Sequence, residues 1–201
     1  MIIPEDNYIT YSLLAIILAV SLYAIAYKKA FQALILHPAS VIHKKEYYRI
    51  FSSVLVHNNT AHLAINILML YVYCSGLEES GPHPRRLTLA LTIISSLLMG
   101  HLASLFIYRK DMTYSSAGAS GVAIGCMCSY LILHPLENHV SLPFADNIPN
   151  IYSAVGYLMI ILLYTKKFNK GEIDYGIHVG GGLGGAATSI IIHPKMITDI
   201  I

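Results

Sequence analysis

The sequence predicts an all-α, polytopic membrane protein: six transmembrane helices in a single domain covering residues 1–201. Three observations carry that expectation. Only 12% of the residues are charged while 55% are apolar, far from the balance of a water-soluble domain. Six windows contain no Asp, Glu, Lys or Arg: 7–27, 50–77, 87–108, 112–136, 147–165 and 175–194. Each is long enough to cross a bilayer, which takes about 20 residues. The loops between them leave no room for a separate soluble domain, and a backbone in hydrocarbon must satisfy its own polar groups, so each span is a helix and not an open strand.

In chain order the expected helices cover about residues 8–27, 57–77, 87–108, 118–135, 148–165 and 175–193. The first ends in Ala24-Ile25-Ala26, which superficially fits a signal-peptidase site, but Glu5 and Asp6 stand where a signal peptide is basic, so the helix is expected to be retained. The longest connection is 28–49. Its apolar patch, 30–43, is interrupted by Pro38 and too short to span, so an interfacial or re-entrant element in the headgroup layer is expected. The second helix carries His62 and Asn66 at i, i+4 on one face, with His57 five residues earlier. The fourth opens with Gly118-Ala119-Ser120-Gly121 and continues to Gly125. The sixth opens with Asp174 and His178 and then carries Gly181, Gly182 and Gly185. Gly121 and Gly125, and likewise Gly181 and Gly185, are small-xxx-small pairs of the kind that let membrane helices approach closely.

Fifteen tyrosines and no tryptophan are present, and Tyr8, Tyr27, Tyr47, Tyr48, Tyr108, Tyr164 and Tyr175 fall at span edges, as interfacial anchors do. Cys74, Cys126 and Cys128 lie inside spans and read as packing residues. A formal net charge of +2, with the basic residues confined to loops, gives no stripe for nucleic acid and excludes that class of partner.

Polar and ionisable groups are costly in hydrocarbon, so a buried one needs a functional reason and a named partner. Ser120 and His178 each open a separate span, and each supplies the other's partner as nucleophile and base. Acyl transfer also needs donors aimed at the oxyanion, and His62, Asn66 and the Ser120 backbone N–H fit that role. Asn66 and His62 taken alone are equally interhelical polar glue, and the glycines taken alone are packing residues. Other patterns fail. Val122 stands where a G-x-S-x-G elbow needs its second glycine. Gly180-x-Gly182-x-x-Gly185 follows no strand, so it is no dinucleotide site. No H-E-x-x-H or zinc-spaced Cys/His cluster occurs, so neither metal nor other cofactor is expected. His37, His43, His83, His134, His139 and His193 sit in loops or at span ends, where solvated histidines are ordinary. Asp174, four residues before His178, reads as a helix N-cap in preference to a third catalytic member, which leaves a dyad.

Together these residues resemble the rhomboid family of intramembrane serine proteases. The family's His-Asn pair on the second helix matches His62 and Asn66, its G-x-S-G matches Gly118 to Gly121, and its sixth-helix motif matches Ile177-His178 onward to Gly185. His57 and Glu78 match further family positions. The resemblance implies a six-helix rhomboid-like bundle with Ser120 as nucleophile, His178 as general base, and His62 with Asn66 at the oxyanion hole. It implies transmembrane segments of other proteins as substrates. Two positions depart from the family pattern. Tyr48-Arg49 replaces Trp-Arg, and Ile124 stands where a tyrosine often packs on the histidine, which bears on specificity. A silent binder of membrane clients and a small polar-lined transporter are the alternatives. The first is disfavoured because both dyad residues are present, the second because it leaves the serine loop unexplained. The family topology places the active site on the extracytoplasmic side of the cell membrane, against the positive-inside rule: Lys28, Lys29, Lys44, Lys45, Arg49, Arg109, Lys110, Lys166, Lys167 and Lys170 lie on the active-site side, and only Arg85, Arg86 and Lys195 opposite.

Overall fold

A computed structural model describes residues 7–79, 81–134, 140–142, 145–148, 152, 159, 163 and 174–194. The described chain is overwhelmingly helical. The first helix, α1, spans Tyr8–Ala26. Its first N–H groups have no acceptor within the helix, and the Asn7 side chain does not cap them. They are met from elsewhere. Buried Glu78, on the last turn of α5 (Thr60–Glu79), accepts from Ile9 N–H at 3.0 Å, Thr10 N–H at 2.9 Å and the Thr10 hydroxyl at 2.7 Å. A carboxylate at a helix N-terminus is favoured by the helix dipole, and Arg86 Nε lies 3.9 Å from the same buried carboxylate.

Between α1 and α5 lies the segment expected to be interfacial or re-entrant. It folds as three short helices, α2 (Lys28–Leu34), α3 (Pro38–Lys44) and α4 (Tyr48–Ser52), followed by a 3-10 turn at Ser53–Leu55. Proline at the first position of α3 costs no hydrogen bond, and His37 Nδ1 caps the helix by accepting from Ser40 N–H at 3.2 Å. Arg49 Nη1 donates to the Gln32 and Ile35 carbonyls at 3.0 and 2.9 Å, gathering the C-terminal end of α2. The same guanidinium, beside Glu46, holds that carboxyl below its usual range. Leu36 and Val41 pack on Ile177 with Ile50 and Leu105. The segment is therefore seated on the helices that carry the candidate site.

The helix carrying His62 and Asn66 begins at Thr60, so His57 precedes it where the sequence placed it on the span. The remaining long helices are α6 (Arg85–Tyr108), α7 (Ser120–Leu133) and α8 (Tyr175–Ile192). A two-stranded antiparallel ribbon, Val140–Leu142 with Ala145–Ile148, is the one exception to the all-α expectation among the described residues. The fifth expected helix, 148–165, lies almost wholly outside them. By length and apolarity, α1, α5 and α6 can each cross a membrane. Helix α7 has only 14 residues, roughly 21 Å at 1.5 Å per residue, short of the ~30 Å hydrocarbon core.

Packing is apolar between α5 and α7, where Met69, Leu70, Tyr73, Cys74 and Leu77 meet Val122, Ala123, Cys126, Met127 and Tyr130. Against α8 it is polar and glycine-lined. Thr92 and Ser129 hydroxyls lie 3.3 Å apart, Ser129 and Ser189 2.7 Å, and Ser95 and Thr188 2.7 Å, joining α6, α7 and α8. Large apolar groups point outward instead, Phe106 at 69% exposure and Ile191 at 76%. Hydroxyls inside and apolar side chains outside suit a lipid solvent. His134 and His193 are buried and not solvated as expected, and His193 Nε2 lies 2.8 Å from the Thr88 hydroxyl.

Candidate active site

Ser120 is the first residue of α7, and the chain before it is fixed by backbone. Leu36 and Ser116 exchange two hydrogen bonds, at 2.9 and 3.0 Å, and Gly118 N–H donates to the Ser53 carbonyl at 2.9 Å. Gly118 has φ +125°, a region that favours glycine. A methyl there would also lie 2.7 Å from His62 Cε1, so the His62 ring lies directly over this turn. Ala119 N–H donates to His57 Nε2 at 3.2 Å. That bond places the His57 proton on Nδ1, which donates to the Ser21 hydroxyl at 2.9 Å, which in turn donates to the Leu55 carbonyl at 2.8 Å. His57 is thus a structural link between α1 and the serine loop.

His178 stands one turn into α8, and its Nε2 lies 2.8 Å from Ser120 Oγ. Two glycine pairs make the approach possible. A methyl on Gly125 would lie 2.6 Å from the Gly181 carbonyl oxygen, one on Gly121 would lie 2.9 Å from the Ile177 carbonyl oxygen, and methyls on Gly181 and Gly185 would overlap the backbones of Gly121 and Gly125. Gly182 is different. A methyl there would make only ordinary contacts, 3.4 Å to Ile124 and Cys128. The sequence reading missed a second glycine row on α8, namely Gly176, Gly180 and Gly184 against Ser104, Gly100 and Ser95 of α6. Its spacing of four residues was the available signal.

Helix α7 has no side-chain cap. The Gly118 and Ala119 N–H groups are already engaged, which leaves the Ser120 N–H at the helix start as a backbone donor beside Ser120 Oγ. Asn66 is buried, and its Nδ2 donates to the His62 carbonyl at 2.9 Å. An amide nitrogen carries two hydrogens, so one donor remains. His62 N–H is held by Asn59 Oδ1 at 2.9 Å, and its ring stands edge-on to His57 with centroids 5.0 Å apart. Asp174 caps α8: Oδ1 accepts from Ile177 N–H at 2.9 Å, and Oδ2 accepts from the Ser104 hydroxyl at 2.6 Å. His101 also went unnoticed in the sequence. It accepts from Ser53 at Nε2, 2.9 Å away, and donates from Nδ1 to the Leu97 carbonyl at 2.8 Å, fixing the turn that receives Gly118. Ile124 is buried on the face of α7 that meets Gly182, one turn beyond His178. Among the described residues no group of three or more His, Cys, Asp or Glu could hold a metal ion.

Fold and site together define a helical membrane protein whose serine–histidine pair is seated between closely packed helices. Residues 44–195 match the family model of the Rhomboid domain, and the chain belongs to the rhomboid family and is an integral membrane protein. It is 29% identical over 149 residues to the rhomboid protease GluP of Bacillus subtilis (strain 168), an alignment covering 73% of this chain and 26% of that protein. The chain therefore spans about a quarter of the length of that relative.

Proposed function

We propose that the chain is an intramembrane serine endopeptidase, a single rhomboid-like domain of six transmembrane helices that cuts transmembrane segments of other proteins. The observation that carries this reading is the 2.8 Å contact between Ser120 Oγ and His178 Nε2 across two helices in glycine-to-backbone contact. Unprotonated Nε2 accepts the hydroxyl proton while Oγ bonds to the scissile carbonyl carbon. The imidazolium then protonates the departing amide nitrogen, and a water repeats the sequence to release the acyl group. Negative charge on the carbonyl oxygen is met by the Ser120 N–H, the second Asn66 N–H and His62. The His57 link and the Gly118 turn hold these donors before substrate arrives, so little reorganisation is needed as charge develops.

A helix of 14 residues cannot reach both faces of the bilayer, which supports a reading in which Ser120, at its first residue, works below the membrane surface. A substrate helix offers carbonyls that are already hydrogen-bonded, so it must unwind locally before attack, and segments containing Gly or Pro are the favoured ones. We place the site on the extracytoplasmic side of the plasma membrane, with the basic first loop held against anionic headgroups.

The test is covalent. A serine-directed fluorophosphonate should label the purified protein at Ser120, and Ser120→Ala should lose both the label and cleavage of a transmembrane substrate. His178→Ala should be as severe, and the double variant no worse, because nucleophile and base act as a unit. Cleavage that survives in Ser120→Ala, free of contaminating protease, would refute the assignment.

A further inference from the structure

The Asp174 carboxylate does more than cap a helix, because its two oxygens are engaged by different helices. Oδ1 accepts from Ile177 N–H, beside His178 on α8, at 2.9 Å. Oδ2 accepts from the Ser104 hydroxyl, on α6, at 2.6 Å. The Tyr114 phenol, from the loop that leads to Ser120, faces the same carboxylate, and its ring is stacked on Tyr108 of α6. The Asp174 carbonyl receives His178 N–H itself, at 3.2 Å.

Each partner is delivered by a device visible in the structure. Gly176 brings α8 so close that a methyl there would lie 2.8 Å from Ser104 N, which puts the short Ser104 side chain within reach of Asp174. Asp111 turns the chain after α6 by accepting from Thr113 N–H at 2.9 Å, the Thr113 hydroxyl at 2.8 Å and Tyr114 N–H at 3.0 Å. That turn lays Tyr114 flat on Tyr108, with ring centroids 3.6 Å apart and planes 3° from parallel. Tyr108 is one turn beyond Ser104 on α6, so Ser104 and the Tyr108–Tyr114 stack address the same carboxylate from one helix end. Burial and that carboxylate push the Tyr114 phenol well up, so it stays protonated and a donor. An isolated N-cap needs only Oδ1. Here the second oxygen is buried and engaged, an arrangement that capping alone does not require.

We propose that Asp174 is the positioning residue of the site, a single carboxylate that locks the helix carrying His178 to the end of α6 through Ser104, where the Tyr108–Tyr114 stack holds the loop carrying Ser120. This rests on the protease reading above. Nucleophile and base are 58 residues apart in sequence, and an error in their relative placement is not corrected locally. A shared anchor at the heads of both segments sets it directly.

The experiment is the kinetics of fluorophosphonate labelling on the full chain in detergent and in liposomes. Asp174→Ser retains a capping oxygen but is too short to hold Ser104 and removes the charge that Tyr114 faces. It should acylate about 10- to 100-fold more slowly, as expected for a misplacement near 1 Å, with the half-saturating probe concentration unchanged. Ser104→Ala and Tyr114→Phe, which leave the cap intact, should each slow acylation several-fold. Adding either change to Asp174→Ser should cost little more, because the partner is already gone. Equal maximal rates in wild type, Asp174→Ser and Ser104→Ala would leave Asp174 as a cap only and overturn the proposal while the protease reading stands. Failure of the wild type itself to label at Ser120 would overturn both.

Discussion

A methyl group added at Gly125 tests whether close helix contact is what brings the dyad together. In Gly125→Ala the new carbon would lie 2.6 Å from the Gly181 carbonyl oxygen, where ordinary contact begins at 3.4 Å, and it would also run into the Ser96 side chain on α6. The carbonyl is backbone and cannot rotate aside, so α7 and α8 must separate by about 0.8 Å. Gly125 lies little more than one turn from Ser120, so the displacement reaches Ser120 nearly undiminished. The Ser120–His178 distance, 2.8 Å in the structure, would open to about 3.6 Å, beyond hydrogen-bonding range. Overpacking of this kind costs about 1–3 kcal/mol of stability, and misplacement near 1 Å costs about 10²-fold in rate. Gly182→Ala is the matched control, since its methyl meets only Ile124 and Cys128 at 3.4 Å. Cleavage of a transmembrane substrate in liposomes, with unfolding midpoints measured on the same preparations, should show Gly125→Ala impaired and Gly182→Ala near wild type. Equal activity of the two variants would refute the argument that backbone approach sets the catalytic distance.

Asn66→Ala should fold and lower the cleavage rate by about 10²–10³-fold, with His62→Ala acting in the same direction; a folded Asn66→Ala protein at wild-type rate would make Asn66 interhelical glue and no more. Glu78→Ala should strand the Ile9 and Thr10 N–H groups and lower stability by about 1–3 kcal/mol per orphaned donor that water does not reach, with Glu78→Gln milder, as read by unfolding midpoints. In a variant free of native cysteines, single cysteines placed at Asn169 and Asn138, both outside the described residues, should differ in labelling by an impermeant maleimide on intact cells. Reactive Asn169 supports an extracytoplasmic site, and reactive Asn138 with protected Asn169 reverses the orientation.

The parts of this molecule that could be read from the chain are those with local causes. The absence of charge over 7–27, 87–108 and 175–194 marks α1, α6 and α8, because hydrocarbon penalises each residue independently. Ser120, His178, Gly121 with Gly125 and Gly181 with Gly185 stood out because fixed spacing on one helix encodes a face. What escaped depends on partners distant in sequence. Nothing near Ser53 or His101 announces their hydrogen bond across 48 residues, and Glu78 gives no sign that it will serve α1 from 68 residues away. Proline and short apolar runs mark the segment 28–52 as too short to span, but that it folds as three helices packed on Ile177 depends on a partner distant in sequence.

The seating of α8 between α6 and α7 also orders events during biosynthesis. Ser120 is made 58 residues before His178, so a growing chain holds the serine, its loop, His62 and Asn66 before it holds the histidine that the serine meets. During that interval the glycine surface of α7 and the Thr92, Ser95 and Ser129 hydroxyls lack the helix that covers them. On the proposed function, the chain would therefore be silent toward its membrane neighbours while it inserts. The same uncovered strip of small and polar residues distinguishes the unfinished chain from the finished one, which presents chiefly apolar side chains to lipid. Closure of the glycine seam and assembly of the serine–histidine pair become one event, set by the arrival of a single glycine-faced helix.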